Sequence, residues 1–158
     1  MQLAWKRTPA VTRFDDSCIF CRIIRGEIPA DKVYEDGDII AFLDARPLFP
    51  GHVLVSPKEH IVTLSDLPAS QVGRLFEQVQ IIARAVETAL DAEGTFVAIN
   101  NRVSQTVPHL HVHVVPRRNG DGLKGFFWPR RNYQDGQARE VVRGSIESAI
   151  QRLMEGAG

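Results

Sequence analysis

A chain of 158 residues, 44% hydrophobic and 24% charged, holds enough apolar side chain for one domain with a real core. Its 19 basic side chains balance 19 acidic ones, so no net field draws it to nucleic acid or to an anionic membrane. No apolar stretch approaches the roughly 20 residues that span a bilayer, and MQLAWKRTPAVTRFDDS lacks an apolar core of signal-peptide length, so a cytoplasmic protein is expected.

Residues 1–17 show no periodicity and read as an arm, with Trp5 and Phe14 as its anchors. From Cys18 the texture turns globular. CRIIRGEIP predicts a short helix that Gly26 and Pro29 end. KVYE and DIIAFLD predict two strands joined by the turn EDGD, ARPLFPG a loop, and HVLVSP a third strand ended by Pro57. The strongest helical pattern lies in SDLPASQVGRLFEQVQIIARAVETALDAEG, where Val72, Leu75, Phe76, Val79, Ile82, Ala83, Val86 and Leu90 recur at helical spacing. Ser65 or Asp66 is the expected cap, and Gly94 follows the end. TFVAIN predicts a strand, NRVSQTVP a polar loop, and HLHVHVVP the last strand, stopped by Pro116. The tail RRNGDGLKGFFWPRRNY leads to a final helix near 138–154, apolar at Val142, Ile146, Ala149, Ile150 and Leu153. Hairpins followed by a long helix, without regular strand–helix alternation, predict an α+β domain. The expected organisation is an arm over 1–17, a core over 18–117, and a C-terminal extension with loop and helix over 118–158.

Three of the five histidines stand two apart in PHLHVHVVPR. On a strand, His109, His111 and His113 share one face at about 7 Å intervals, while Leu110, Val112 and Val114 face a core. Such a row suits metal chelation, or a nucleophilic imidazole flanked by donors to an anion. Imidazole titrates near pH 6.5, so a neutral nucleophile and a cationic partner can coexist at neutral pH. Ahead of the row, Ser104, Gln105 and Thr106 offer hydroxyl, amide and backbone donors for a phosphate oxygen. The only cysteines, Cys18 and Cys21, form a CxxC pair. By itself CxxC reads as a redox pair, as half of a metal site, or as chance.

The stretch CIFCRIIRGEIPADKVYEDGDIIAFLDARPLFPGHVLVSPKEH, taken with SQTVPHLHVHVVPR, resembles the histidine triad (HIT) family of nucleotide hydrolases and transferases. That resemblance runs from about Cys18 to Arg117. It implies a HIT-like fold, an antiparallel sheet of about five strands with one long helix and shorter ones. His111 would be the nucleophile, attacking the α-phosphorus of a nucleoside phosphoramidate or dinucleoside polyphosphate to form a covalent nucleotidyl-histidine that water hydrolyses. His113 would donate to a non-bridging phosphate oxygen, with Gln105 and Thr106 holding the phosphate. Asp44 matches the position that bonds ribose hydroxyls, and Asn100 or Asn101 the polar position near ribose and phosphate. Phe20, Ile23, Phe42 and Leu54 match positions lining the purine pocket, which also read simply as core packing. Family members with CxxC here hold a structural Zn2+, which maps to Cys18, Cys21, His60 and His109. His52 falls where the family often has histidine, in support of the loop.

Two residues depart from the family pattern. Ser104 replaces the usual glycine before the loop glutamine, and Pro108 fixes the entry angle of the histidine strand. Trp128, Phe126 and Phe127 beside Arg130 and Arg131 lie outside the shared pattern; they could close over a base or phosphate, and read first as packing groups at a dimer interface. Relatives are commonly homodimers, with the long helix or the adjacent strand in the interface. A second class of function stays open: a non-catalytic, zinc-stabilised nucleotide-binding or interaction protein of the same fold. The intact His111, His113, Gln105 and Thr106 weigh against it.

Overall fold

Apolar side chains on both faces of one sheet require cover on both sides, and two helices supply it. The computed structural model describes residues 14–124 and 131–156. Trp5, Phe126, Phe127, Trp128 and Arg130 lie outside the described residues.

In chain order come α1 (Ile19–Ile24), β1 (Lys32–Glu35), β2 (Ile39–Leu43), β3 (Val53–Pro57), α2 (Ala69–Leu90), β4 (Gly94–Ala98), β5 (Val112–Arg117) and α3 (Gly136–Glu155). A 3-10 turn at Leu64–Asp66 precedes α2. The five strands form one sheet in the order β1-β2-β3-β5-β4, every neighbouring pair antiparallel. This is the α+β, five-stranded antiparallel architecture expected.

Strand alternation divides the core in two. Ile39, Ala41, Val53, Val55, Val112 and Val114 point to one face and meet Leu75, Val79, Ile82 and Val86 of α2. Ile40, Phe42 and Leu54 point the other way and meet Phe20, Cys21 and Ile23 of α1. Phe20 packs edge-on against Phe42, with ring centroids 5.2 Å apart.

Four element ends differ from the sequence reading, each for a reason visible in its hydrogen bonds. Asp66 does not cap α2: with Thr63 it forms a capping box around the 3-10 turn, Thr63 Oγ1 donating to Asp66 Oδ2 at 2.6 Å. Pro68 then stands at the N-cap of α2, its carbonyl accepting from Gln71 N. At the other end Asp91, at φ +50°, reverses the chain before Gly94 is reached. The last strand starts only at Val112, since the Leu110 N–H donates at 2.6 Å to the Ile61 carbonyl of a loop rather than to a strand. It also runs through Pro116 to Arg117, because Gly94 and Thr95 of β4 pair there.

Two compact units divide at Asp121/Gly122. The first runs past Arg117 because that guanidinium clamps Asp121 (Nε–Oδ2 2.6 Å) and because the Asn119 N–H donates to Glu93 at 2.6 Å. Within the second unit, Asp135 caps α3 by accepting from Ala138 N at 2.7 Å. Among the described residues no helix is long and apolar enough to cross a membrane.

Candidate active site and metal centre

Cys18 caps α1 and Cys21 lies in its first turn, so a single short helix end presents both sulfurs. His60 comes from the loop after β3 and His109 from the segment leading into β5. Cys18 Sγ lies 3.5 Å from His109 Nδ1; Cys21 Sγ lies 3.3 Å from His60 Nδ1 and 3.7 Å from His109 Nδ1. Around a tetrahedral metal with ordinary thiolate and imidazole bonds, sulfur and nitrogen ligands stand about 3.6 Å apart. The four residues therefore already hold the spacing of a closed metal set.

Hydrogen bonding orients the ligands. A carbonyl can only accept, so the His109 Nε2–H donates to Pro57 O at 2.8 Å and Nδ1 presents its lone pair to the sulfurs. Burial pushes His109 down to about 4, which keeps the ring neutral, as a ligand must be. Burial likewise pushes the Cys21 thiol up to about 11, a preference that a divalent cation at this point inverts. Cys18 is 5% exposed and Cys21 fully buried, which suits ligands and not a redox pair that must meet a partner thiol.

Along the same face lies a cleft of about 690 Å³ whose lining includes Phe20, Ile23, Phe42, Leu54, Asp44, Thr106, His111 and His113. Its apolar floor is also core: the four hydrophobic residues are all buried, so packing and lining are one role. Asp44 stands half-buried at one side, its amide donating to the His52 carbonyl and its Oδ1 accepting from Arg46 N. The His111 ring sits edge-on to Phe20 at 5.1 Å and 4.9 Å from His113. His111 Nδ1–H donates to the His109 carbonyl at 2.6 Å, which leaves Nε2 as the nitrogen with a free lone pair. Burial holds His111 below the usual imidazole range. Burial, with His111 and His52 beside it, takes His113 to about 4. At neutral pH His113 is thus a neutral N–H donor, and not the cation that the ordinary imidazole value allows.

The loop before the triad is placed differently. Gln105 turns inward, Nε2 donating to Val62 O at 2.6 Å and Oε1 accepting from Arg102 N at 2.8 Å. Ser104 is exposed and adopts φ +60°. Asn100 is exposed, whereas Asn101 Oδ1 accepts from Leu64 N at 2.9 Å. Of the residues proposed for the phosphate and ribose, Asp44, Thr106, His111 and His113 line the cleft; Asn100, Ser104 and Gln105 are not among its lining. His52 is more deeply involved than a loop support: it is 3% exposed and its Nε2 lies 2.9 Å from His113 Nδ1. The signal was present in sequence, since His52 stands one residue before β3, the strand that pairs with β5.

Residues 25–120 match the model of the HIT domain, and the chain belongs to that family. An uncharacterised HIT-like protein of Mycobacterium tuberculosis is 48% identical over 108 residues, 67% of this chain and 75% of its own length. An adenosine 5'-monophosphoramidase of Candida albicans is 34% identical over 72% of this chain and 78% of its own. An adenylylsulfatase of Arabidopsis thaliana is 38% identical over 68% of this chain and 56% of its own. Among solved structures, a Streptococcus mutans protein superposes with a TM-score of 0.79 at 37% identity, covering 87% of this chain and 88% of that one. A zinc-bound histidine triad family protein of Mycobacterium smegmatis gives 0.65 at 41% identity, covering 86% and 97%.

Proposed function

We propose that this protein is a nucleotide hydrolase or transferase acting at the α-phosphate of a nucleoside phosphoramidate or dinucleoside polyphosphate. The observation that carries the reading is the state of His111: its Nδ1–H is bound to the His109 carbonyl, so Nε2 faces the chemistry with its lone pair. That nitrogen attacks the α-phosphorus in line, the bond to the leaving amine or phosphate breaks, and the electron pair departs with the leaving group. A phosphorus–nitrogen bond now joins nucleotide to His111, and water cleaves it to return the free ring. His113 stabilises the charge on the phosphoryl oxygens, a contribution of about 10²–10³-fold for a donor of this kind. The purine lies on Phe20, Ile23, Phe42 and Leu54, the ribose hydroxyls bond Asp44, and Thr106 contacts the phosphate.

The metal is Zn2+ in a structural role: two thiolates and two imidazoles close a tetrahedron and leave no open position. Cys18, Cys21, His60 and His109 hold it, and it fastens α1 to the histidine segment. Cysteines held as metal thiolates and not as a disulfide fit a reducing cytoplasm. A second copy of the chain completes the molecule through the outer face of α2, where Val72 and Phe76 are exposed, and the sheet-edge strand β4 with Val97.

The test offers adenosine phosphoramidates and diadenosine polyphosphates to the zinc-loaded protein and seeks turnover. His111→Ala abolishes it under the proposal. A wild-type protein that turns over neither class, like its His111→Ala variant, contradicts the mechanism and leaves the non-catalytic binding reading.

A further inference from the structure

Asp44, His52 and His113 bring ligand-type atoms within 4.8 Å of one another, a second cluster beside the cysteine set. Its nitrogens, however, are already committed to hydrogen bonds in a defined direction. The Leu48 amide N–H donates to His52 Nδ1 at 3.2 Å. A backbone amide cannot accept, so His52 Nδ1 carries the lone pair and the proton of the neutral ring resides on Nε2. Nε2 lies 2.9 Å from His113 Nδ1, which must accept. The neutral His113 ring then carries its own proton on Nε2, the nitrogen not engaged with His52.

We propose that His52 is a positioning residue, locked by the Leu48 amide, that fixes His113 as the Nε2–H tautomer and so makes it a phosphate donor. The inference deepens the nucleotidyl-transfer reading and rests on it for its consequence in catalysis, though not for the tautomer itself. Every part of the chain is held. The His52 amide donates to Phe49 O at 3.0 Å and its carbonyl accepts from Asp44 N at 2.9 Å, which closes the loop around the ring. The two imidazole centroids lie 5.1 Å apart. Asp44 Oδ2 is 3.5 Å from His52 Nδ1, farther than the Leu48 amide at 3.2 Å, and burial outweighs that carboxylate in holding His52 neutral. A ring free to choose would spend part of its time with the proton on Nδ1, offering the phosphate an acceptor instead of a donor.

The experiment labels histidine with ¹⁵N in the full-length, zinc-loaded protein and reads imidazole tautomers by long-range proton–nitrogen correlation at neutral pH. The expected spectrum places the shared proton on His52 Nε2, shows coupling across the hydrogen bond to an unprotonated His113 Nδ1, and shows Nε2–H on His113. His52→Gln, whose amide N–H can replace the donor, keeps that pattern and most of the activity. His52→Leu lets Nδ1–H appear on His113 and lowers kcat by roughly 10–100-fold with KM little changed, less than the about 10²–10³-fold lost with a donor itself. A proton on His113 Nδ1 in the wild type overturns the proposal, even if His52→Leu fails to fold. So does an unaltered His113 tautomer in His52→Leu. An absence of turnover in the wild type counts against the nucleotidyl-transfer reading alone, since the spectra still report the tautomer.

Discussion

Gly51 decides where His52 stands. Its φ of +93° lies in the region glycine tolerates, and a Cβ there would run into the Leu90 side chain. Gly51→Ala is expected to cost about 1–3 kcal/mol in denaturant unfolding and to loosen the His52–His113 bond. Ser104 presents the opposite case, a side chain at φ +60° where the family resemblance leads one to expect glycine. Left-handed backbone costs a non-glycine residue about 1–2 kcal/mol, part of which glycine returns as chain entropy. Ser104→Gly should raise stability by about 0.5–1 kcal/mol; a loss would show that the serine side chain holds the loop. Asp36 gives a pH signature. Burial raises its carboxyl, but the Tyr34 hydroxyl, the Ile39 and Asp38 amides and Arg74 outweigh burial and bring it down to about 2. A carboxylate depressed on folding contributes fully above its ordinary value of 3.8 and loses that contribution as pH falls toward 2. Wild type should therefore exceed Asp36→Asn by about 1–2 kcal/mol above pH 4 and converge with it near pH 2. Equal acid sensitivity of the two proteins would contradict this assignment.

At the scale of elements, α2 and the metal set carry the fold in different ways. Leu75 is fully buried between α2 and the sheet, so Leu75→Ala is expected to cost about 2–5 kcal/mol in chemical denaturation. A metal held by Cys18, Cys21, His60 and His109 would tie together α1, the loop after β3 and the approach to β5. Stripping it should lower the melting temperature by more than 10 °C, on the order of the several kcal/mol a structural zinc supplies. Cys21→Ser should reproduce the loss, while partial chelation that preserves the fold leaves turnover intact. Activity that vanishes with the fold preserved would instead mark a catalytic metal. The elements themselves were largely readable, because the short apolar runs in DIIAFLD and HVLVSP, bounded by turn residues, and the 3.6-residue recurrence over 72–90 are the direct imprint of a two-sided sheet and a helix sharing a core. Most of what escaped was settled by partners distant in sequence. His109 and His111 read as strand residues, yet Leu110 pairs with Ile61, which no local pattern reveals. Likewise, Gln105 has the chemistry of a phosphate contact, and only the fold shows its amide spent on the Val62 carbonyl. Asp66 was lost to a local partner instead: it reads as the cap of α2, yet Thr63, three residues before it, claims it.

For the whole molecule, both core clusters, the four candidate metal ligands and the cleft are built from residues before Asp121. A chain ending at Asp121 is expected to unfold cooperatively and to bind one metal. In α3 the spacing of Val142, Ile146, Ile150 and Leu153 identified an apolar face, and all four are 40–65% exposed. Periodicity announces a face to be covered without naming what covers it. The proposed function stands on one bond, that between His111 Nε2 and an α-phosphorus. The most direct test quenches the zinc-loaded protein during turnover of an adenosine phosphoramidate or a diadenosine polyphosphate and maps modified residues by mass spectrometry. An adenylyl group on His111, accumulating in wild type and absent in His111→Ala, is the predicted result. Turnover that proceeds with His111 unmodified, or that survives His111→Ala, would contradict it.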